Sequence, residues 1–526
     1  MDRYSEVERK FDADPGMSLP DLTGEAGSVG EARESQLDAT YFDTADARLA
    51  RHHITLRRRT GGDDAGWHLK LPAGQDERTE VRLSLGRATR TVPAALVREV
   101  RAIAGDRPLV PIATLHTTRI ERRLLDADGN ALAAIADDTV RGQRLTGGAV
   151  EESTWREVEV ELLDGDRAVL DDVSGRLRAA GLTPSRSSSK LARVLGDFAA
   201  ASTPEVGDAR RATAGAVVLA YLQEHVERLV GCDRGVRSDQ PEAVHDMRVA
   251  TRRLRSTLAT YRPLLDREQI DPIREELKWL GEALGGPRDA EVLRLRMLDL
   301  VTAQPDELDL GPVGSRIDSE LAGRHRLAVV DLRKVLDNDR YFRLLNALDD
   351  LLTSPPLTAR ADKPARKQLP ALVGRVARRV DRAARAVADD LTPQERDQGL
   401  HEVRKCAKRA RYAAESAIPV AGRPARRMAT RMESLQNVLG EHQDSVTAQA
   451  LLLELTMTDH LPVENGFAFG LLYAQERARA NDARRAYKPA LRKASAGKTR
   501  RWTRSDPEPR SRGRSAGSSA QRQRWP

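Results

Sequence analysis

HDMRVATRRLR, the sequence of residues 245–255, resembles HEVRKCAKRAR, the sequence of residues 401–411. A second pair of related segments follows, with LGGPRD at residues 284–289 and LGEHQD at residues 439–444. The first histidine and the last aspartate lie 44 residues apart in one copy and 43 residues apart in the other. Agreement in two segments and in their spacing predicts an internal repeat, in which two similar helical bundles are related by pseudo-symmetry.

Each copy of the first segment places one histidine and three cations on a single stripe of a helix. At about 100° per residue, the members of a stripe fall within one arc, and the apolar residues fall on another side. The two stripes consist of His245, Arg248, Arg252, Arg255, His401, Arg404, Lys408 and Arg411.

The stripes contain no acidic residue, whereas solvated helix faces usually mix acids with bases. A solvated basic face is the alternative, but four like charges repel one another unless an anion lies between them. The pattern therefore favours an anion-binding face, and two stripes across a groove would fit an extended polyanion. Nucleic acid is the rival ligand, but aromatic residues, which supply stacking platforms, make up only 4% of the chain.

Residues 214–488 are predicted to be helical throughout, because they are rich in Ala, Leu, Arg and Glu. A polar, proline-containing connection divides them into repeats of about 214–353 and 370–488. Residues 489–526, rich in Ser, Gly, Arg and Pro, are predicted to form a disordered basic tail.

The repeated segments resemble the CHAD domain, an all-α domain named for its histidine residues and associated with polyphosphate binding. The resemblance covers roughly residues 210–488 and rests on the two His-x-x-Arg-x-x-x-Arg/Lys helices and the two Leu-Gly-x-x-Arg/Gln-Asp turns. It implies that the stripe residues bind polyphosphate. The second turn has Gln443 where the first has Arg288, so the two copies differ at that position.

The composition of the chain narrows the class of protein. Its 526 residues, 40% hydrophobic and 32% charged, exceed what one core needs, so two or three domains are expected. The absence of a run of about 18 apolar residues predicts no transmembrane helix, and the charged N-terminus predicts no signal peptide. Two cysteines, Cys232 and Cys406, cannot form a disulfide framework or a cysteine zinc cluster.

The net charge of +8 is mostly a property of the C-terminus. Residues 492–526 contain 11 Lys or Arg and 2 Asp or Glu, so the rest of the chain is close to neutral. The rest of the chain has no general excess of positive charge, and any anion binding there must depend on local clusters of cations. Nucleic acid is therefore expected to bind only through this basic tail.

Residues 1–200 are predicted to fold mostly as β-strands, with turn residues such as Gly61-Gly62 between them. Eight strands suit a closed antiparallel barrel or tunnel. The predicted strands are Arg3–Phe11, Gln36–Phe42, His53–Arg59, Trp67–Leu71, Thr79–Leu85, Thr114–Leu125, Ala131–Val140 and Thr154–Leu163. Short helices are predicted near 93–104, 167–180 and 187–196. Residues 201–213 are interpreted as a linker to the helical half, so the chain is an α+β multidomain protein.

Charged residues alternate along these strands. Glu6, Glu8 and Lys10 share one face of the first strand, because successive side chains point to opposite faces. The same alternation recurs at Arg57 and Arg59, at His68 and Lys70, at Glu80 and Arg82, and at Glu157, Glu159 and Glu161. Outward charged faces are the alternative, but five strands with this pattern favour one shared lumen. Carboxylates there can hold Mg²⁺ or Mn²⁺, and cations can hold phosphate oxygens, as phosphoryl transfer requires.

This half of the chain resembles the CYTH family, the triphosphate tunnel metalloenzymes, over about residues 1–200. The resemblance rests on Glu-x-Glu-x-Lys at residues 6–10 and, in order, on YFDT at 41–44, LRRR at 56–59, WHLK at 67–70 and EVEVEL at 157–162. It implies that the metal is held by Glu6, Glu8, Asp138, Glu157, Glu159 and Glu161. It implies that the substrate is held by Lys10, Arg57, Arg59, Lys70, Arg82, Arg119 and Lys190.

The same resemblance makes Glu80 and Lys10 the candidate catalytic residues, with Glu80 serving the metal or the attacking water. Asp137 and Asp138 are adjacent, and the sequence alone does not choose between them. The leading prediction is metal-dependent hydrolysis of inorganic triphosphate or short polyphosphate, with the helical half binding longer polyphosphate. The alternatives are a non-catalytic polyphosphate-binding or targeting protein, and a nucleotide cyclase or nucleoside triphosphatase. The expected location is the cytoplasm, with polyphosphate granules as a candidate site of association.

Overall fold

The computed structural model describes residues 2–23, 28–74, 76–86, 91–146, 151–196, 211–305, 308, 310, 312–388, 391–457 and 466–504. The chain divides into two compact units, Met1–Thr203 and Pro204–Pro526. The boundary falls within the predicted linker, of which residues 201–210 lie outside the described residues.

The first unit is built on a closed antiparallel barrel. Its strands are β1 Asp2–Ala13, β2 Ser28–Val29, β3 Arg33–Asp43, β4 Thr55–Thr60, β5 Gly66–Gly74, β6 Glu77–Leu83, β7 Val110–Leu125, β8 Ala131–Arg144, β9 Glu152–Leu162 and β10 Thr183–Pro184. The eight long strands pair in the order β1-β6-β5-β4-β3-β7-β8-β9, and β9 pairs back with β1. The predicted eight-stranded tunnel is confirmed, and the two-residue strands β2 and β10 pair with β7 and β1.

The barrel buries its apolar residues on the outside rather than in the lumen. Val158 and Val160 of β9 are fully buried against Leu170 and Val173, which lie on the covering helix α3. The glutamates that alternate with these valines therefore point inward. The helices of this unit are α1 Arg48–Arg51, α2 Ala94–Ala104, α3 Arg167–Ala179 and α4 Lys190–Leu195.

The predicted glycine turn between β4 and β5 has the conformation that glycine allows. Gly61 has φ +81°, and a Cβ atom there would lie 2.0 Å from the backbone oxygen of Gln36. Only glycine fits this position, because any side chain would collide with the neighbouring backbone. The turn thus fixes the register in which β4 delivers its arginines to the lumen.

The second unit is all-helical in its described part. Its helices are α5 Ala214–Arg237, α6 Ala243–Thr260, α7 Arg267–Ala283, α8 Gly285–Thr302, α9 Val313–Leu336, α10 Asp339–Thr353, α11 Ala365–Arg385, α12 Pro393–Ser416, α13 Ile418–Ala421, α14 Arg423–Met457, α15 Gly466–Ser495 and α16 Gly497–Arg500. Short 3-10 helices lie at Arg262–Leu264 and Arg501–Thr503. The predicted pair of stripes lies on α6 and α12, which pack against each other.

One predicted turn of the repeat is wrong. Leu284 joins α7 to α8, and residues 285–289 form the beginning of α8. Residues 439–444 instead lie inside α14, a continuous helix of 35 residues. The first copy contains Gly-Gly-Pro, and Pro287 fits the first turn of α8, where its missing N–H has no intrahelical partner. The second copy lacks proline, so its helix continues.

The first part of the predicted disordered tail, residues 489–503, is almost entirely helical. Helix α15 continues through Pro489 to Ser495, and residues 497–503 form helical turns that pack against α11. Arg500 is buried, its Nη1 lies 2.5 Å from the Oδ2 of Asp381, and its Nε donates to the backbone oxygen of Ala494. This buried ion pair orders a segment that composition alone marks as disordered. Residues 505–526 of the predicted tail lie outside the described residues.

No helix in the part of the chain described here combines the length and the apolar character needed to cross a bilayer.

Candidate functional site

The barrel lumen holds a cavity of about 60 Å³ whose walls are almost entirely charged. Eleven of the residues predicted for the tunnel line it: Glu6, Lys10, Arg57, Arg59, Lys70, Glu80, Arg82, Arg119, Glu159, Glu161 and Lys190. Two further predicted metal ligands, Asp138 and Glu157, are buried behind Lys190 and contact its ammonium group. Glu8 lies beside Lys10, with 3.2 Å between its Oε1 and the Lys10 Nζ.

Three carboxylates from β8 and β9 surround one cation. Asp138, Glu157 and Glu159 each offer an oxygen within 4.8 Å of the others. The Nζ of Lys190 lies 2.9 Å from Asp138, 2.7 Å from Glu157 and 2.7 Å from Glu159. Burial favours the neutral amine, but the three carboxylates outweigh it and raise the pKa of Lys190 well above its ordinary value. The geometry shows a buried position that demands positive charge.

The structure distinguishes the two adjacent aspartates. Asp138 is fully buried and accepts two hydrogen bonds from Arg119, at 2.8 and 2.7 Å, on the lumen side. Asp137 instead accepts two hydrogen bonds of 2.8 Å from Arg156, on the opposite face of the sheet. Of the two aspartates, Asp138 is therefore the one that belongs to the carboxylate cluster.

A second acidic group lies where β1 meets β9. Glu8 pairs in register with Glu161, and Glu6 lies on the same face of β1. The Oε2 of Glu6 and the Oε1 of Glu8 are buried and accept no hydrogen bond from the described residues. Burial, together with the charge of Glu6, raises the pKa of Glu161 to about 7. These oxygens fit a divalent cation, since hard cations take carboxylate ligands and would stabilise the ionised forms.

The opposite wall is cationic. The half-buried Arg57 of β4 donates to the Tyr41 hydroxyl at 3.4 Å, and its Nε has no hydrogen-bond partner among the described residues. Burial and the neighbouring charges of Arg57 and Arg119 lower the pKa of Arg59 to about 8. Arg59 pairs with Asp64 at the edge of this wall. A guanidinium whose pKa falls so far lies in a strongly positive environment, which a phosphate group would relieve.

Glu80 lies between the two walls and is held by basic residues. It is buried, its Oε1 lies 2.9 Å from the Nδ1 of His68, and its Oε2 accepts from the Arg82 Nε at 2.6 Å. Burial opposes ionisation, but the His68 contact and the charges of Lys70 and Arg82 lower the pKa of Glu80 well below its ordinary value. The Nε2 of His68 lies 2.8 Å from the backbone oxygen of Asp64, which fixes the ring.

Sequence reasoning missed Arg78 and Tyr41, which also line the cavity. Arg78 shares a face with Glu80 and Arg82, but the strand was predicted to begin at Thr79, and β6 begins at Glu77. The alternation R-T-E-V-R at residues 78–82 places Arg78 on the lumen face and is the sequence signal that could have identified it. Arg78 lies 3.6 Å from Glu8 and pairs in register with Glu6, so it reaches the second acidic group.

In the helical unit, four of the predicted stripe residues form one cluster. Arg248 and Arg252 of α6 face Arg404 and Lys408 of α12. Burial, followed by the charges of Arg404, Arg252 and Arg248, lowers the pKa of Lys408 to about 7. Like charges thus converge from the two repeats, as an anion-binding groove requires.

The glycine and the aspartate of the second repeated segment support this cluster in both copies. A Cβ atom at Gly440 would lie 3.1 Å from the Nη2 of Arg404, and a Cβ at Gly285 would lie 3.8 Å from the Nη2 of Arg248. The Asp289 carboxylate accepts from Arg248 at 2.7 Å, and Arg404 lies 4.0 Å from Asp444. Gly440 therefore makes room for Arg404, and in both copies the motif places an acid beside the arginine.

The other four predicted stripe residues are not part of this cluster of cations and have other neighbours. Arg411 pairs with Glu415 and Glu433, at 2.7 and 2.8 Å, and Arg255 lies near the side chain of Arg409. His401 contacts Gln443 at 3.0 Å through its Nδ1. Burial and then the charge of Arg288, which is equivalent to Gln443, lower the pKa of His245.

Comparison with known proteins identifies both units. The CYTH domain model matches residues 5–193, and the CHAD domain model matches residues 220–453. The chain is a CYTH–CHAD protein. It is 39% identical over 505 residues to the uncharacterized protein Rv2226 of Mycobacterium tuberculosis strain H37Rv, covering 93% of this chain and 96% of that protein.

Two solved structures are similar to part of the chain. PptA from Streptomyces chartreusis is 23% identical, with a TM-score of 0.46 over 53% of this chain and all of that chain. The CHAD domain of Ricinus communis is 26% identical, with a TM-score of 0.44 over 54% of this chain and 92% of that chain.

Proposed function

We propose that the CYTH tunnel hydrolyses inorganic triphosphate or short polyphosphate with the help of Mg²⁺ or Mn²⁺. The observation that carries this proposal is the division of one buried lumen into a carboxylate wall and a cationic wall. A purely anion-binding lumen gains nothing from buried carboxylates, whereas phosphoryl transfer requires both a metal and cations. CYTH proteins include triphosphatases and cyclases and depend on a metal, which agrees with this arrangement.

The carboxylate wall fits a divalent metal. Asp138, Glu157 and Glu159 supply clustered oxygens around a position that already attracts a cation. Glu6 and Glu8 each supply one buried oxygen that accepts no hydrogen bond within the described part of the chain. Bound there, the metal would neutralise phosphate oxygens and lower the pKa of water. The chain's own residues then divide the remaining work between binding the phosphates and orienting the attacking water.

The cationic wall would bind the phosphates. Arg57 and Arg59 offer guanidinium groups to the phosphates, and Arg119, Lys10, Lys70 and Lys190 add positive charge around them. Glu80 stays ionised and is fixed by His68, so it can accept a hydrogen bond from water and orient it. Its lowered pKa suits orientation better than strong basicity.

The decisive assay is phosphate release from tripolyphosphate, with ATP as the competing substrate and EDTA as the control. We expect release with Mg²⁺ or Mn²⁺, no release in EDTA and slower release from ATP. Among the residues lining the lumen, Tyr41 is the single aromatic, so the described cavity offers little for base stacking. Faster turnover of ATP, or formation of a cyclic nucleotide, would contradict the proposal.

The tunnel should act without the helical unit. A fragment of residues 1–203 retains the whole closed barrel and its covering helices, so it is expected to fold and to hydrolyse tripolyphosphate at a rate similar to the full chain. Circular dichroism checks folding, and calorimetry checks metal binding. A folded, metal-loaded but inactive fragment would show that the helical unit completes the active site.

We propose further that the CHAD unit binds longer polyphosphate through Arg248, Arg252, Arg404 and Lys408. The convergence of four cations from two repeats, with Asp289 and Asp444 as the nearby acids, supports this role. Such binding would hold the tunnel near its substrate, with polyphosphate granules as the proposed location.

This proposal predicts that polyphosphate binding depends on pH. Lys408 has a pKa of about 7 in the free protein, and a bound polyanion favours its charged form, so binding takes up a proton. Affinity should therefore fall about tenfold as the pH rises from below 7 to 9, the cost of one charged contact. The K408R variant stays charged over this range and should show a flat profile. An equally steep profile in K408R would contradict this assignment.

A further inference from the structure

A second basic concavity lies in the helical unit, between α14, the end of α15 and α16. Its volume is about 600 Å³. Five cations line it: Arg427, Arg431, Arg492, Lys493 and Lys498. The lining residues include no carboxylate and no aromatic side chain, and none of the five cations makes an ion pair with another described residue.

One wall of this pocket is a fixed part of the fold. The Arg500 side chain, which is buried, donates to Ser495 at 3.0 Å and pairs with Asp381 of α11. The hydroxyl of Thr499 donates to the backbone oxygen of Lys493 at 3.2 Å. These contacts hold the turn 497–503 against the helices, so Lys498 is kept beside Arg492 and Lys493 before any ligand arrives.

The position of the arginines on α14 argues against an ordinary solvated face. The helix begins at Arg423, has no acid in its first turn, and carries four arginines between residues 423 and 431. The positive end of the helix dipole disfavours Arg423 and Arg426 in the first turn, and repulsion from the cations across the pocket disfavours Arg427 and Arg431. The C-terminal dipole of α15 accounts for Arg492 and Lys493, but it does not account for Arg427 and Arg431.

This pocket is separate from the cluster on α6 and α12. Gly440, which contacts Arg404 of that cluster, lies 13 residues from Arg427 along the same helix, which is about 20 Å. The chain's own C-terminus does not suit the pocket as an occupant, because residues 505–526 contain five arginines and two carboxylates. The absence of aromatic side chains from its lining disfavours stacked nucleic-acid bases.

We propose that this pocket is a second binding site for inorganic polyphosphate, which holds a segment of a long chain apart from the α6–α12 cluster. The inference rests on the proposed polyphosphate binding of the helical unit and extends it to a second site. A chain of phosphates presents a dense row of anions without bases, which matches five cations in a wide, aromatic-free concavity. Tripolyphosphate is too short to bridge two sites about 20 Å apart, so the gain from the second site appears only with long chains.

The test is binding of long-chain polyphosphate to the full-length protein carrying R427E and R431E together. We expect affinity at least about tenfold weaker and a shallower salt dependence, because two phosphate contacts are lost. Arg427 and Arg431 are exposed and make no ion pair with another described residue, so the variant should keep its thermal stability. The matched control is R423E with R426E, which makes the same charge change on the same helix with exposed residues that do not line the pocket.

The outcomes separate this site from the proposed function. Loss of binding in R427E/R431E, but not in the control, supports the second site, whatever the R252E/K408E variant of the α6–α12 cluster shows. An equal loss of polyphosphate affinity in the pocket variant and the control variant overturns the second site. The second site is also overturned if R427E/R431E weakens binding only of single-stranded DNA of equal charge and not of polyphosphate. If R252E/K408E alone loses binding, the proposed function stands and the second site falls. If the unaltered protein binds no polyphosphate, both fall.

Discussion

Replacing Glu159 by glutamine is expected to abolish metal-dependent phosphate release from tripolyphosphate, a loss of at least about a hundredfold. Glu159 belongs to the carboxylate cluster with Asp138 and Glu157, and it also pairs with Arg119 at 2.9 Å and with Lys190 at 2.7 Å. The substitution keeps the size of the side chain but removes a negative metal ligand. Calorimetric titration with Mn²⁺ should therefore show weakened metal binding in the same variant.

Stability needs a separate measurement, because buried ion pairs are involved. Burial opposes the ionisation of Glu159, but the charges of Lys10, Lys190 and Arg119 outweigh it and keep its pKa well below the ordinary value. Glutamine leaves these buried cations with less negative charge, which costs up to about 3–5 kcal/mol when a partner is removed. Activity is to be compared only at temperatures where the melting curve shows the variant to be folded.

The matched control is E152Q on the same strand. Glu152 is exposed at the start of β9 and lies 3.4 Å from Arg141, outside the lumen, so activity should stay unchanged. Glu8→Ala should resemble E159Q, whereas Arg57→Ala should mainly raise KM, since it removes a phosphate contact and no metal ligand. Full activity in both the Glu8 and the Glu159 variants would contradict the metal site.

The tunnel could be predicted from the sequence because a charged lumen requires charged and apolar residues to alternate along each strand. On β9, Glu157, Glu159 and Glu161 alternate with Val158 and Val160, so a single strand reveals both the charged interior and the apolar exterior that helices cover. The choice between Asp137 and Asp138 needed the pairing register, since neighbouring residues point to opposite faces and a shift of one residue exchanges them.

The failures of sequence reasoning occur at ends of elements and in long-range contacts. Arg78 lies outside the predicted strand, which begins at Thr79, whereas β6 begins two residues earlier at Glu77. The ends of strands and helices are the positions that sequence patterns define least well. The helical segment 489–503 has the composition of a tail, and its order depends on Asp381, which lies far away in the chain. A local sequence pattern cannot reveal a partner so far away in the chain. The prediction of disorder for residues 489–503 is therefore wrong, because it does not include this tertiary contact.

Reversing the charge of both Arg252 and Lys408 to glutamate is expected to abolish binding of long-chain polyphosphate by the α6–α12 cluster. Arg252 belongs to the first repeat and Lys408 to the second. The pKa of each is lowered by burial and by cations that include residues of the opposite repeat. A glutamate at either position repels the polyanion and pairs with the remaining cations, so each single reversal should weaken binding at least about tenfold.

The measurement should use a chain that ends after Arg504, which keeps every described helix and removes the basic residues beyond them. Affinity is measured over a range of salt concentrations, because each neutralised phosphate releases a counterion and steepens the dependence. The double reversal should reduce that slope as well as the affinity. The control reverses Lys405 and Arg426, exposed cations of α12 and α14 that lie outside the cluster.

The controls decide between a shaped site and general attraction to positive charge. Both double variants change the net charge equally, so long-range attraction would make them lose affinity equally. A loss confined to Arg252 and Lys408 requires direct contact with the polyanion at the place where the two repeats meet. If the shortened protein binds as well with both reversals as without them, the stripes are solvated surface, and the repeat does not serve polyphosphate binding through α6 and α12.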